Sequence, residues 1–574
     1  MGHPFLFAVP QDFYDLVVAM TTKSKVRFKA LTSQQTLLFP SNLGDKIAAN
    51  HPVRIVDQVV DSLNIEDITS TYKGGGTSSY HPRMMIKVLF YSYFCNIYSC
   101  RQIEKVLQEN IHFMWISGNS TPNFRTINDF RGKKLKGKID FLFSEIIKLM
   151  SDLGFVSLEV QYIDGTKIEA ASNRYTFLWK GSVEKNKAKL EKKIQGVLSD
   201  INNAIAQDNN VEDSEELPVI DSSIVKQRLL ELNKRLDDFN KQQKKQVKKL
   251  VEEHLPKLEN YEHQLTIFEG RNSFSKTDTD ATFMRMKDDY MKNGQLKPAY
   301  NVQISTEDQF ITNFSLHRRP GDTATLIPHM DQFAEFYEKQ CDIAVADAGY
   351  GSEQNYEYFE NNDVEAFVKY NYFHKEQKRK YKNDPFVATQ LFYNEKDNFF
   401  VCPMGQRMEC VGTYTRTSEL GYKSTIHVYQ AVNCNRCPMR GQCHKSKGER
   451  RIEINFKLQN YKKQAREKLL SEEGLKHRSK RPIEPEAVFG HIKNNHKFNR
   501  FTLRGLEKVK VEFGLNAIAH NLRKMMAKII ENKLKPTSLN QTTCFKPTNM
   551  KKDILIQDKI DTRTENLSTW KIAA

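Results

Sequence analysis

The sequence predicts a multidomain α/β protein: a mixed sheet with helices, an N-terminal helical domain, a helical hairpin insertion and a cysteine-rich insertion. Three observations predict it. Gln161–Glu169 and Cys341–Asn355 each run an apolar stretch into an aspartate, Asp164 or Asp347, with glycine close behind. Ile343, Ala344, Val345 and Ala346 have the unbroken apolar character of a strand buried on both faces. Composition then shifts twice, to a tract rich in Lys, Glu, Gln and Leu after Gly181 and to a block holding most of the cysteines.

A chain of 574 residues exceeds what one core organises, so about two to four domains are expected. Lys and Arg number 87 against 70 Asp and Glu, a formal charge of +17, which suits a polyanionic partner. No apolar run approaches the ~18 residues of a membrane span. The first twenty residues lack the basic start and small-residue cleavage site of a signal peptide, so a cytoplasmic protein with no membrane partner is expected. Nine cysteines, crowded mostly into one region, read as metal ligands in a reducing compartment rather than as a disulfide framework.

In chain order, strand-like Gln35–Phe39 precedes a helix around Val53–Leu63. Pro82 suits the first turn of the next helix, with Met85, Val88, Leu89 and Tyr93 on one apolar stripe. Ser99 caps a second helix, and a third starts near Thr121. Short helices joined by tight turns, the last with Arg125, Asn128 and Arg131 near its start, suit recognition of a DNA major groove. Arg and Asn pair bidentately with guanine and adenine edges. The alternative is a plain helical bundle in which these residues pack or cap.

The first aspartate strand is predicted to end after Asp164. Glu184–Gln207 and Ser223–Phe268, with Gly196 their only glycine, predict two long helices folded back as an antiparallel hairpin. Leu229, Leu232, Leu236 and Phe239 supply its narrow seam; a solvated spacer is the plain reading, and pairing of two subunits or phosphate contact by Lys241–Lys249 the others. Thr277–Met284 reads as a polar turn, and Pro298–Ser305 with Phe310–His317 as a strand hairpin. A helix over Asp322–Tyr337 leads to the Asp347 strand, Ser352 and Glu353 cap the helix after it, and Val364–Lys369 is a further strand.

Cys402, Cys434, Cys437 and Cys443 place four thiolates on two arms, a pattern that closes a tetrahedral structural Zn²⁺ site. Cys410 and His444 are spare candidates. Pro485 precedes Glu486 at a helix entry, Lys493 follows seven residues on along the same face, and Gly505–Lys533 predicts a long helix. The tail beyond Pro536 has no core pattern.

The segments Gln161-Tyr-Ile-Asp-Gly-Thr-Lys-Ile-Glu169, Ala344-Val-Ala-Asp-Ala-Gly-Tyr-Gly351 and Ile483-Glu-Pro-Glu-Ala-Val-Phe-Gly-His-Ile-Lys493 resemble the three motifs of bacterial insertion-sequence transposases of the DDE type. The resemblance implies a ribonuclease-H-like catalytic domain assembled from 155–180, 297–375 and 478–533. Around it stand an N-terminal DNA-binding domain (1–150), a coiled-coil-like insertion (181–296), a zinc-binding insertion (376–455) and a flexible tail (534–574). It implies that Asp164, Asp347 and Glu486 hold two Mg²⁺ (or Mn²⁺) ions, Asp164 bridging both, with Lys493 on a phosphate near the scissile bond. The implied reaction is hydrolysis at the element ends followed by attack of the 3′-hydroxyl on target DNA. The implied partners are double-stranded DNA and a second copy of the chain in the DNA complex, on the bacterial nucleoid.

Glu484 rivals Glu486, which is preferred because its spacing to Phe489-Gly490 and Lys493 matches the family. The family's arginine four residues before this glutamate is missing, since Pro482 stands there, and Arg481 or Arg478 is the candidate to replace it. A non-catalytic DNA-binding relative and a nuclease without strand transfer are the other readings.

Overall fold

The two aspartate strands meet in one mixed sheet. The computed structural model of the chain describes residues 42–72, 79–209, 221–234, 241–286, 294–418 and 420–531. The expected strand Gln35–Phe39 and the tail 534–574 lie outside the described residues. Contacts divide the chain into one unit over Met1–Ala48 and another over Ala49–Ala574. In the first, a turn at Leu43–Lys46 is capped by Asn42, whose side chain accepts from the Gly44 N–H. Everything below belongs to the second.

Its strands, in chain order, are β1 (Val160–Glu169), β2 (Phe177–Trp179), β3 (Ser273–Ser275), β4 (Thr282–Arg285), β5 (Leu296–Glu307), β6 (Phe310–His317), β7 (Ile343–Ala346) and β8 (Glu365–Val368). The main sheet has the order β4-β5-β1-β7-β8, with β6 also paired to β5. β1 is antiparallel to β5 and parallel to β7, and β7 is parallel to β8. Two expectations are corrected here. β1 does not end at Asp164, because β5 backs it from Tyr162↔Thr306 to Glu169↔Ala299, well past the end of β7 at Ile163↔Ala346. Nor is Thr277–Met284 all turn: Thr282–Arg285 forms β4 along the start of β5.

Helix Leu506–Glu531 is the inner face on which the sheet rests, and every residue from Val511 to Leu522 is buried. Several of its buried polar groups are paired, as burial favours. Asn521 accepts from the Ile311 N–H and donates to the Ile311 carbonyl, satisfying β6. Glu512 accepts from the N–H groups of Thr502 and Leu503. Arg523 donates to the carbonyls of Tyr93 and Phe94 at the C-terminal end of helix Pro82–Phe94. The N-terminal helices Pro82–Phe94 and Ile139–Asp152 therefore share this helix with β6.

The first insertion corrects the two-helix hairpin. Lys180–Asn209 is one long helix, but the second tract is described as two pieces, Ser222–Asn233 and the run from Lys241 to Phe268. Ile194 and Ile201, Val225 and Leu229, and Leu250 and Leu258 are buried together, one pair from each segment. Two amphipathic helices leave half their seam wet, and a third segment covers it. Leu236 and Phe239 lie outside the described residues. In Lys241–Lys249 only Val247 is buried, so the lysines form a solvated face.

The second insertion is an antiparallel sheet of β9 (Phe392–Asn394), β10 (Phe399–Val401), β11 (Arg407–Thr417), β12 (Lys423–Ala431) and β13 (Arg451–Ile454), ordered β13-β12-β11-β10-β9 around Phe400, Met408, Tyr429 and Ile452. Ser352 caps helix Glu353–Asn361 as expected, but Glu353 does more. Buried at 7% exposure, its carboxylate accepts from Tyr422 Oη (3.1 Å), Ser424 Oγ (2.6 Å) and Asn455 Nδ2 (2.6 Å), tying the insertion to the main sheet. Helices Phe456–Leu470 and Glu472–Lys480 then return the chain to the end of β1. Among the described residues no helix is long and apolar enough to cross a membrane.

Candidate active site

Parallel pairing of β1 with β7 stops at Ile163↔Ala346, so the next residue on each strand is an aspartate. Neighbouring strands run about 4.8 Å apart, which sets Asp164 and Asp347 side by side at the end of the parallel ladder. Asp164, still inside β1, is buried, whereas the Asp347 side chain is half open to solvent. Asp347 also caps the turn Ala348–Tyr350, with Oδ1 accepting from the Ala348 N–H at 2.7 Å. Gly351 lets that turn close on β8: a Cβ there would stand 2.4 Å from the Lys369 carbonyl oxygen.

The third acid arrives from a helical run over Pro482–Asn495 that opens and closes with wide, five-residue turns. Pro485 has no N–H to give an α-type bond, which favours the widened first turn. In a regular α-helix residues five apart point to different faces. Here Arg481 and Glu486 meet, Nη1 to Oε1, at 2.8 Å. The same guanidinium lies 3.1 Å from Asp164 Oδ1 and 3.6 Å from Asp347 Oδ2. Arg481 is only 5% exposed. Three carboxylates from three separate elements thus surround one buried cation. Arg478 is turned elsewhere, onto the Leu469 carbonyl and the Phe373 ring.

Glu484 does not join them. It is buried beside the β5–β6 hairpin, where Oε2 accepts from the Gln309 N–H at 2.8 Å, and burial raises its pKa. Lys493 Nζ donates to the carbonyl of Lys167, three residues along β1 from Asp164. A cation that sequence reading missed, Lys369, stands half-buried at the end of β8. Burial lowers its pKa, while the nearby Asp347 and Glu486 pull it upward. No motif announced it, because only the pairing of β7 with β8 brings it here.

Among the described residues no three His, Cys, Asp or Glu side chains are drawn together as the ligands of one ion would be. The acids are spaced around Arg481 instead. Their donors are all carboxylate oxygens and two of the three are half exposed, which fits a hard divalent cation better than a soft one.

Comparison with known families gives two matches. Residues 41–133 match the family described as Transposase domain (DUF772), and residues 401–526 match the Transposase DDE domain. Two segments of the chain are thus similar to transposase domains, the second of the DDE type. Glu486 and Lys493 fall within the second match, and Asp164 and Asp347 fall between the two. No curated protein and no solved structure matches the chain.

Four of the chain's cysteines share a cavity, although they are not drawn together as the ligands of one ion would be. Cys402, Cys434, Cys437 and Cys443 line one cavity of about 20 Å³, the room of a single small ion or water. His444 also lines it, and its buried Nε2 has no hydrogen-bond partner while Nδ1 is bonded to Ser446 Oγ. Cys410 lies outside this lining, on β11, with its thiol toward the Gly412 carbonyl. Arg450 braces the group, its backbone N–H on Cys434 Sγ and its guanidinium on Cys443 Sγ. Soft sulfur donors around one small cavity fit zinc.

At the N-terminal end, helix Phe124–Asp129 carries Arg125 and Asn128 on its exposed face. Arg131 is placed differently from the expectation. It is 3% exposed and donates to Tyr93 Oη (3.1 Å), the Tyr98 carbonyl (2.9 Å) and Asn128 Oδ1 (3.4 Å). These bonds bind the helices together, so its guanidinium faces the bundle interior. Arg101 and Arg125 both sit over the Phe124 ring and, with Asn128 and Thr502, line an open cleft of about 440 Å³.

Proposed function

We propose that the chain is a DDE-type transposase that hydrolyses DNA at the ends of its mobile element and joins the freed 3′-hydroxyls to target DNA, with Asp164, Asp347 and Glu486 as its catalytic acids. The convergence of these three side chains on Arg481 carries the proposal. The strand order supports a ribonuclease-H-like core: β6-β5-β1-β7-β8 has three antiparallel strands followed by two parallel ones, with the first strand at the centre.

A phosphodiester resists attack because its charge repels nucleophiles and its alkoxide leaves poorly; two bound Mg²⁺ or Mn²⁺ ions would activate the nucleophile and stabilise the leaving oxygen. Asp164, the buried acid on β1, would be the one shared by both ions. Asp347 and Glu486, half exposed, face the side from which DNA can approach. Arg481 offsets part of the triple negative charge and keeps the carboxylates from splaying. Lys493, whose Nζ rests on the Lys167 carbonyl of β1, would contact a phosphate near the scissile one. Arg125 and Asn128 would contact the element ends, with Arg101 on the phosphates and Arg131 holding their helix in place. A second copy of the chain would complete the DNA complex.

The test is incubation of the full chain and Mg²⁺ with DNA carrying the sequences that flank its gene. Joined products support the reading. Cleavage without joining reduces the chain to a nuclease, and neither activity from folded protein removes the catalytic reading.

The cysteine cavity is proposed as a structural zinc site held by Cys402, Cys434, Cys437 and Cys443, with His444 Nε2 the alternative to one of the thiolates. Purified protein should contain about one zinc per chain. Chelation should speed hydrogen exchange in β9–β13 while β1, β5 and β7 stay protected, because the insertion has its own small core. Protein that is metal-free by elemental analysis without exposure to chelator would refute the site.

A further inference from the structure

A buried polar network next to the acids is unused by the reading above. In the β1–β5 register Gln303 stands opposite Gly165, the residue after Asp164. Only glycine leaves room for it: a Cβ at 165 would lie 2.3 Å from Gln303 Nε2. Lying across β1, the Gln303 amide donates to Asn301 Oδ1 (3.0 Å) and to Asp322 Oδ1 (3.2 Å), and Asp322 Oδ1 also accepts from Asn301 Nδ2 (2.8 Å). Gln303 Oε1 accepts the hydroxyl hydrogen of Tyr350, the last residue of the turn that Asp347 begins. Tyr350 is 1% exposed, and burial, reinforced by Asp322, keeps its hydroxyl protonated and able to donate. A second tie runs beside the first, from Thr323 Oγ1 to the Gly349 carbonyl at 2.7 Å.

Asp347 needs such support. The β7 ladder stops at Ala346, so the turn that aims its carboxylate is beyond strand pairing with β1. The network replaces the missing ladder by a bond that starts on β5, passes over Gly165 and ends on Tyr350. In a buried chain of this kind each member satisfies the next, so loss of one hydroxyl is felt at the turn. We propose that Gln303, Tyr350 and Asp322 are positioning residues that fix the Asp347 turn against the Asp164 strand and thereby set the cation affinity of the pair. This inference rests on the reading of Asp164 and Asp347 as cation ligands.

Mn²⁺ alone, titrated into the full chain by calorimetry, tests it with Tyr350→Phe, which deletes one oxygen, and with Asp347→Asn as the reference for loss of the site. Tyr350→Phe should keep the wild-type melting temperature within a few degrees and bind Mn²⁺ roughly tenfold more weakly. Asp347→Asn should lose that binding event. Gln303→Ala should shift affinity in the same direction, and the half-maximal Mg²⁺ concentration for cleavage should rise in both variants while DNA affinity holds. Wild-type Mn²⁺ affinity in Tyr350→Phe, with binding lost in Asp347→Asn, overturns the positioning role alone. No Mn²⁺ binding by the wild-type chain, or equal binding by Asp347→Asn, overturns the reading of the acids beneath it.

Discussion

Single replacement of Asp164, Asp347 or Glu486 by Ala should lower end cleavage by about 10³-fold or more and leave DNA binding within a few-fold of wild type. Each change removes one oxygen donor from a site whose cations are worth several kcal/mol to the transition state, and each 1.36 kcal/mol is tenfold in rate. Affinity for DNA comes from Lys and Arg on phosphates, which these changes leave in place. Glu484→Gln is the contrast. Its carboxylate faces the Gln309 N–H rather than Arg481, and an amide oxygen accepts that bond equally well. Cleavage should therefore persist. Because burial raises the Glu484 pKa, its charged form opposes folding; that cost is fully present above the folded pKa and fades away as pH falls toward the lower, unfolded value. The Gln variant should melt at or above the wild-type temperature at pH 8, and the difference should vanish as pH falls and Glu484 protonates. A single-turnover cleavage assay with a parallel melting series reads both. An active Asp347→Ala would remove the site assignment, and a folded but inactive Glu484→Gln would exchange the two glutamates.

Arg481→Met should be the most damaging change to stability at the site. Asp164 is buried and lies 3.1 Å from the guanidinium, so methionine leaves a carboxylate enclosed without its counter-charge. Breaking a buried ion pair from one side costs about 3–5 kcal/mol. The contributions of Asp347 and Glu486 are smaller, because both are half exposed and screened by water. A divalent cation can restore the missing positive charge. Added Mg²⁺ should accordingly raise the melting temperature of Arg481→Met more than that of wild type. An equal Mg²⁺ response in the two proteins would show that Arg481 and the cation do not share the carboxylates.

The parts of the fold written in local pattern were legible. Ile343–Ala346 reads as a buried strand from its apolar run, and Pro82 and Ser352 mark helix starts by their own chemistry. What sequence spacing hid was set by distant partners. β1 runs on to Glu169 because β5, more than 120 residues later, pairs with it, which no local turn signal at Asp164-Gly165 reveals. The helical insertion folds in three because its second tract turns back on itself. Of the site, the acids carried local signatures, and Glu486 could be preferred over Glu484 only through its resemblance to a motif. Arg131 shows the reverse case: an arginine at a helix start has the chemistry of base recognition, but Tyr93 and the Tyr98 carbonyl already claim its donors. Gln303, Lys369 and Tyr350 carry no motif and reach the acids only through sheet register.

The most direct test of the acid site is anomalous diffraction from crystals of the full chain soaked in Mn²⁺. A peak should stand between Asp164, Asp347 and Glu486, with carboxylate oxygens at about 2.0–2.3 Å from it and the Arg481 guanidinium drawn back from its 3.1 Å contact with Asp164. Anomalous density elsewhere in the chain but none among these three carboxylates, with Arg481 unmoved, would contradict the account.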